Sequence, residues 1–135
     1  MQVWEREMQS KMLCLLSGLL LLGMAVPAQA ESTIQMWSCA LLEGKTAAEA
    51  EAVTQDWVKA ANTMAGGEKM EVYLNRPLVA EAKGGQFQFM MIAPSTGEWG
   101  RFMDGYDGSA ASEVDKAWNE IAQCSSSSMW VSKKM

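Results

Sequence analysis

The sequence predicts an α+β fold, in which a four-stranded antiparallel sheet carries its crossover helices on one face. Three observations support this prediction. Apolar residues alternate with period two in short segments, they recur at three- and four-residue steps in longer ones, and two cysteines lie far apart in the predicted domain. Hydrophobic residues make up 49% of the 135 residues and charged residues 20%, which is typical of a globular chain and excludes a disordered one.

The first predicted strand covers residues 32–42, where apolar residues alternate in part. Thr46 and Glu49 then have the spacing of a capping box, which marks the start of a helix. An apolar stripe follows at three- and four-residue steps, through Ala50, Val53, Trp57 and Met64. The glycine pair at 66–67 ends this helix.

Two further strands are predicted to form a central hairpin. Residues 70–75 alternate with period two, and Pro77 limits the end of that strand. The segment 87–93 is the third strand, bounded by Pro94. Its phenylalanines, Phe87 and Phe89, share a face with Met91, while Met90 and Ile92 make the opposite face apolar as well.

The last part of the chain is predicted to contain a short helix, a break, a second helix and a strand. Ser95 and Glu98 form a second possible capping box, and glycines interrupt the helix at 105–108. Ala111, Val114, Trp118 and Ile121 form a helical stripe that we expect to end at Cys124. We interpret the serines 125–128 as a connector to a short strand at 129–132.

The resulting order of strand, helix, strand, strand, helix, strand is the split βαβ, or ferredoxin-like, arrangement βαββαβ. Right-handed crossovers place both helices on one face of the sheet, so the other face is uncovered. Met90 and Ile92, together with Met36 or Met129, are expected there. Because soluble proteins rarely expose large apolar patches, we predict a homodimer that packs sheet to sheet. The alternative is a monomer whose open face is interrupted by polar residues, which are Ser38, Tyr73 and Gln88.

Residues 1–30 have the pattern of a secretory signal peptide. Lys11 precedes an uncharged apolar run at 12–26, and a small-x-small end predicts cleavage between Ala30 and Glu31. The apolar run is shorter than the roughly 20 residues of a membrane-spanning helix. We therefore expect a single domain over residues 31–135, located in the periplasm or secreted, with no membrane association after cleavage.

The very start of the chain is atypical of a leader. Glu5 and Glu7 place negative charge where a signal peptide is normally positive. We hypothesise that translation begins at Met8 or Met12 rather than at Met1.

Cleavage removes Cys14 and leaves Cys39 and Cys124. An even count in an exported protein indicates one disulfide. The bond would close a loop of about 85 residues, for which the chain-entropy model gives about 4 to 5 kcal/mol of stabilisation. The alternative, a redox or metal-binding pair, lacks a CxxC spacing and any histidine.

The charge balance and the missing histidine exclude several functions. The formal net charge is −5, and nucleic-acid binding requires a basic surface, so we expect no nucleic-acid partner. The chain contains no histidine, which removes Ser-His-Asp and Cys-His nucleophilic sites, HExxH zinc sites and His-ligated haem. No catalytic residues, metal ligands or cofactors are predicted, and a non-catalytic role is favoured over an enzyme.

The element order, the Trp57 helix and the segment from Trp99 to Phe102 give a chain that resembles the dimeric α/β-barrel superfamily. The opening Cys-x4-Gly-Lys-Thr at 39–46, with the late Cys124, is also similar to small uncharacterised exported bacterial proteins. The resemblance implies a sheet-paired dimer, and the superfamily includes cofactor-independent monooxygenases and haem-degrading enzymes. The haem-degrading members rely on a proximal histidine that this chain lacks. No active-site residue can be carried over.

One group of residues could orient a ligand. Tyr73, Asn75, Trp99 and Arg101 combine aromatic and polar groups near predicted junctions of strands and helices, where a cavity could bind a small molecule. The alternative is that they are ordinary surface and packing residues. We therefore interpret the protein as an exported, disulfide-bonded domain that binds a small molecule or a partner protein without catalysis. The alternative function is that of a small cofactor-independent monooxygenase-like enzyme.

Overall fold

The computed structural model describes residues 31–78 and 84–135. The predicted signal peptide and Ala30, at its cleavage site, lie outside these ranges. The elements are β1 (Ser32–Leu41), α1 (Ala47–Ala61), β2 (Glu71–Asn75), β3 (Gln86–Ala93), α2 (Thr96–Asp104), α3 (Ala110–Asn119) and β4 (Ala122–Ser132). Within this part of the chain, no helix is both long and apolar enough to cross a membrane.

The four strands form one antiparallel sheet in the order β2-β3-β1-β4. This order results from two interleaved β-α-β units, in which α1 joins β1 to β2 and the pair α2 and α3 joins β3 to β4. The predicted α+β, ferredoxin-like fold is therefore confirmed. The predicted break in the second helical region is also present, between α2 and α3.

The first helix begins where the sequence predicts. The Thr46 side chain accepts a hydrogen bond from the backbone N–H of Glu49 at 3.3 Å, and the Thr46 N–H donates to Glu49 Oε2 at 2.8 Å. These two bonds satisfy backbone donors that a helix start leaves unpaired. The helix then buries Ala50, Val53 and Trp57. The capping box therefore sets the start of the stripe that faces the sheet.

One close approach between segments requires glycine. Gly66 has φ +83° and follows α1, and a Cβ at this position would collide with the backbone of α2 at Glu98 and Phe102. The chain after α1 can therefore pass directly over α2. Phe102, which is fully buried, packs against the ring of Trp57 with the ring centroids 5.7 Å apart.

The two faces of the sheet follow from the alternation in β3. Phe87, Phe89, Met91 and Ala93 are buried, and Phe89 contacts rings of both α1 and α3. We call this side the covered face. Met90 and Ile92 point the opposite way and stay partly exposed. The side that carries them, here called the open face, has no helix from the described residues against it.

The structure corrects the predicted end of the chain. The serines 125–128 do not form a connector but lie within β4, and Cys124 lies in β4 rather than at the end of a helix. The pairing of Trp37 with Ser127 and of Met36 with Ser128 supplies backbone hydrogen bonds that outweigh the weak strand preference of serine. Strand pairing over long sequence distance therefore decides this segment.

A bulge in the pairing of β1 with β4 also reverses one predicted orientation. Cys39 faces Cys124, whereas its neighbour Ser38 faces Ser126, so Ser125 is the extra residue. One inserted residue moves all following side chains to the other face. Met129 therefore lies opposite Gln35 on the covered face, while Trp130 takes the place on the open face that was predicted for Met129.

Candidate functional site

A cavity of about 460 Å³ lies between the covered face and the helices. Side chains from all three helices and from β1, β3 and β4 contribute to its wall. The aromatic residues of the wall are Trp37, Trp57, Phe89, Phe102, Tyr106 and Trp118. Such a mainly apolar concave wall, closed by a few polar groups, is typical of small-molecule sites.

A chain of hydrogen bonds crosses one side of this cavity. The indole Nε1 of Trp57, on α1, donates to the hydroxyl of Tyr106 at 3.0 Å. The same hydroxyl donates to Oδ2 of Asp115, on α3, at 2.5 Å. Tyr106 lies in the connection between α2 and α3, so the three residues link α1 to α3 through this connection. We call these three residues the polar trio.

Burial changes the acid–base behaviour of the trio. It raises the pKa of Asp115, although the hydrogen bonds from Tyr106 and Trp57 partly oppose the shift. It also raises the pKa of Tyr106 far above its ordinary value, and the hydrogen bond to Asp115 adds to this shift. The tyrosine therefore stays protonated and acts as the donor, while Asp115 is the acceptor whose ionisation the site disfavours.

The disulfide forms another part of the wall. Cys39 and Cys124 are bonded, as the sequence predicts, with their Cα atoms 4.0 Å apart. Cys39 is buried, and Cys124 lines the cavity. The bond therefore fixes β1 and β4 to each other beside the site.

The structure does not bring the four predicted ligand residues together. Val72 and Leu74 turn toward the helices, so Tyr73 and Asn75 lie on the open face, opposite Met90 and Gln88. Because successive side chains of a strand point to opposite faces, Tyr73 and Asn75 cannot share a face with Val72 and Leu74.

The two remaining predicted residues lie on α2, near the covered face. Trp99 donates from Nε1 to Oε1 of Gln35, in β1, at 2.9 Å. Arg101 is exposed and is paired with Glu98 of its own helix. Neither residue lines the 460 Å³ cavity.

The sequence analysis missed Tyr106 and Asp115. A signal for Asp115 was present, because it lies four residues after Ala111 and three before Trp118, both of which are buried. This spacing puts the carboxylate beside the apolar stripe of α3. An acidic residue beside an otherwise buried stripe indicates either strain or a site. Tyr106 gave no comparable signal, because it lies in a loop.

A second cavity of about 350 Å³ lies between the start of α1 and the ends of β2 and β3. Its polar part is the ion pair of Glu51 with Arg76, whose atoms are 3.4 Å apart. Both side chains are largely exposed, and the wall includes Leu78 and Gly84, which are the last and first described residues on either side of a gap in the described ranges. The 460 Å³ cavity is therefore the better-built site.

No metal centre is found in the part of the chain that the structure describes. In residues 31–78 and 84–135, no group of three or more Cys, Asp or Glu side chains could hold a metal ion.

The open face is the second region with functional character. Ile34, Met36, Met90 and Ile92 form its centre, and each is partly exposed. Tyr73, 47% exposed, and Trp130, 58% exposed, flank them. The polar atoms of both rings bond to neighbouring side chains, Tyr73 to Glu71 at 2.8 Å and Trp130 to Ser128 at 3.0 Å. The exposed rings therefore add apolar area with their polar atoms already satisfied.

Comparison with known proteins gives a likeness in fold. No protein-family model matches the sequence, and no curated protein matches it. The structure is similar to that of SnoaB, a cofactor-independent oxygenase from Streptomyces nogalater, with a TM-score of 0.55 and 12% sequence identity, over 78% of this chain and 96% of that chain. A mutant form of SnoaB gives a TM-score of 0.56 at 11% identity over the same shares of the two chains.

A dimeric protein of unknown function and ferredoxin-like fold from Bacteroides fragilis is also similar, with a TM-score of 0.44 and 13% identity, over 78% of this chain and 97% of that chain. The likeness to SnoaB shows the fold alone at this identity. It bears out, at the level of the fold alone, the resemblance that the sequence indicates.

Proposed function

We propose that this protein is exported and binds a small organic molecule in the 460 Å³ cavity between its sheet and helices. The observation that carries the proposal is the polar trio, which places a hydroxyl and a carboxylate in an aromatic wall. The volume falls within the roughly 300 to 1,000 Å³ of known small-molecule sites.

Asp115 accepts the hydrogen bond from Tyr106, but its position in the wall carries an electrostatic cost. Burial penalises its charged form, and no ion pair among the described residues includes it. A carboxylate held in this way costs stability, which an apolar residue in the same place would avoid. Its presence therefore favours a function that uses a polar group in the cavity.

A neutral fluorescent probe, N-phenyl-1-naphthylamine, tests whether the cavity binds ligands. Its emission should rise on binding, and Met103→Trp should abolish the rise because Met103 lines the cavity and is only 38% exposed. The matched control is Met129→Trp, since Met129 is 47% exposed and does not line the cavity. Equal binding by both variants would exclude this cavity as the site.

Export is supported by the leader pattern of residues 1–30 and by the disulfide. Disulfides persist in the periplasm or outside the cell, whereas the cytosol keeps thiols reduced. Amino-terminal sequencing of protein from a periplasmic extract and from the culture medium tests this. Material that starts at Glu31 is the expected result. Protein that keeps residues 1–30 in the cytosol would contradict export.

We also propose that two copies associate through their open faces. The support is the apolar centre of this face together with its two exposed rings, because monomers seldom leave such contiguous area in water. Light scattering of the unaltered protein should give twice the monomer mass. The Ile92→Lys variant should give the mass of a single monomer. Ala48→Lys, on the exposed side of α1, is the control and should leave the dimer intact. A monomer mass for the unaltered protein at micromolar concentration would contradict the dimer.

A second candidate function is cofactor-independent oxygenation, which the fold of SnoaB favours. For this function Asp115 would accept a proton from a bound phenolic substrate, since its raised pKa suits a weak base better than that of an ordinary aspartate. An oxygen electrode, with chelator present and a panel of phenols and hydroquinones, tests this. Oxygen uptake that Asp115→Asn abolishes would support the activity. Uptake no faster than without protein would leave binding as the function.

A further inference from the structure

The charge in the wall of this cavity is of one sign, which is negative. Among the described residues, Asp115 is the only charged one in its wall, and the polar groups of Tyr106, Asn119 and Gln123 are neutral. No lysine or arginine from the described part of the chain lines it. The nearest basic residue in sequence, Lys116, is exposed and paired with Glu113 at 2.6 Å. A molecule in the cavity therefore meets negative charge with no basic group from this wall beside it.

The aromatic wall adds to this preference. The wall contains six rings, of which Phe102 is fully buried, and three of the six are indoles, from Trp37, Trp57 and Trp118. Aromatic rings attract cations through the negative potential of their faces, and indole does so most strongly. Rings together with one carboxylate are the chemistry that recognises alkylated ammonium groups, which are large, weakly hydrated and unable to form strong hydrogen bonds.

Two other ligand classes fit less well. An anion would face Asp115 without a basic partner in the described wall, so its binding would be opposed. A neutral apolar molecule would fill the space but leave the carboxylate desolvated and without a counter-charge. A cation removes both penalties, because it neutralises the one charge that this wall holds.

We propose that the ligand of this cavity is a small organic cation that carries a quaternary or otherwise alkylated ammonium group, bound between the indole rings and Asp115. This inference rests on the proposed binding function of the same cavity and names the class of its ligand.

Calorimetry on protein purified from cells that express the full chain tests the class directly. The probes are choline and 3,3-dimethyl-1-butanol, which has the same shape but a neutral tert-butyl group in place of trimethylammonium. Choline should bind at least about tenfold more tightly than the alcohol. Asp115→Asn should weaken choline binding about tenfold and should not weaken binding of the alcohol, whereas Asp56→Asn, on the exposed side of α1, should alter neither.

The outcomes separate this inference from the proposed function. Choline selectivity that depends on Asp115 supports both. Equal affinity for the two probes, or selectivity that survives in Asp115→Asn, overturns the cation assignment. If N-phenyl-1-naphthylamine still binds in that case, the proposed binding function stands. If neither that probe nor choline binds, both proposals are wrong.

Discussion

The two faces of the sheet are built from alternate residues of the same strands, yet they differ in the burial and polarity of their side chains. On β3, Met91 is 1% exposed on the covered face, while its neighbour Met90 is partly exposed on the open face. The covered face is mainly apolar, and the helices above it bring a carboxylate and the groups that bond to it. The open face is exposed to solvent, but its centre is apolar.

Each face therefore contains residues that a stable fold would normally place elsewhere. The covered side has a charged group in an apolar wall, and the open face has apolar side chains in contact with solvent. A fold selected only for stability would bury no carboxylate without a counter-charge and would leave no apolar face in water. The departure on the covered face, at Asp115, supports the binding site proposed above. The departure on the open face, around Met90 and Ile92, supports the proposed association of two copies. Because the covered face holds the buried side chains, we expect it to supply most of the folding stability.

The disulfide, on the covered face, should give the largest effect on stability, because it closes a long loop of the chain. The double change Cys39→Ala with Cys124→Ala frees a loop with a sequence separation of 85 residues. Chain entropy predicts a loss of about 4 to 5 kcal/mol in the free energy of unfolding, measured by urea denaturation. This is a large share of the roughly 5 to 15 kcal/mol by which native domains are stable.

The control for the disulfide is the facing pair Ser38 and Ser126, which lies on the open face just across the bulge. Changing both to alanine should shift stability by less than about 1 kcal/mol, as surface substitutions do. A comparable loss in the serine variant would show that strand pairing at this site, rather than the cross-link, supplies the stability.

Neighbouring methionines give the second test. Met91→Ala should cost about 2 to 5 kcal/mol, because it removes a fully buried side chain and leaves a cavity. Met90→Ala should cost less than about 1.5 kcal/mol when the protein is dilute enough to be monomeric. Urea denaturation of both variants at low and high concentration measures the difference. A Met90→Ala loss that grows with protein concentration would show that the open face is buried in a dimer.

Much of the fold was predictable because its signals are local. The alternation of Phe87, Phe89 and Met91 and the capping pair Thr46 and Glu49 depend on residues close in sequence, and the structure places them as predicted. The serines at 125–128 were not predictable in this way. They form a strand because β1 pairs with them across about 90 residues, and no local pattern indicates that pairing.

The candidate site was less predictable for the same reason. Tyr73 and Asn75 were grouped with Trp99 by residue type and position near strand ends, although the alternation in β2 already favours the open face for Tyr73. Asp115 lies beside a buried stripe and could have been identified, whereas Tyr106 reaches it only through a loop that joins two helices. A site made by three elements needs the tertiary arrangement before its members can be recognised.

The smallest expected effect concerns the charge on the covered face. The folded-state pKa of Asp115 is raised above its ordinary value by burial. Its contribution to stability is therefore fully present below the unfolded pKa, near 3.8, and is lost as the pH rises through the higher folded value. Relative to Asp115→Asn, which cannot ionise, the unaltered protein should become less stable between about pH 3 and pH 7. Because Asp115 is only about half buried, solvent screens the charge and the change should be smaller than for either methionine.

Urea denaturation of both proteins at about pH 3, 5 and 7 measures this difference, with Asp56→Asn as the control for a charge on an exposed surface. The sign of the result decides between two accounts of the covered face. A difference that falls with pH means that the free protein carries an unneutralised carboxylate, which a cationic ligand would then relieve. A difference that rises with pH would mean that the ionised form is already stabilised in the folded protein. In that case Asp115 would be a structural acceptor for Tyr106. The two faces would then differ only in how deeply their apolar side chains are buried.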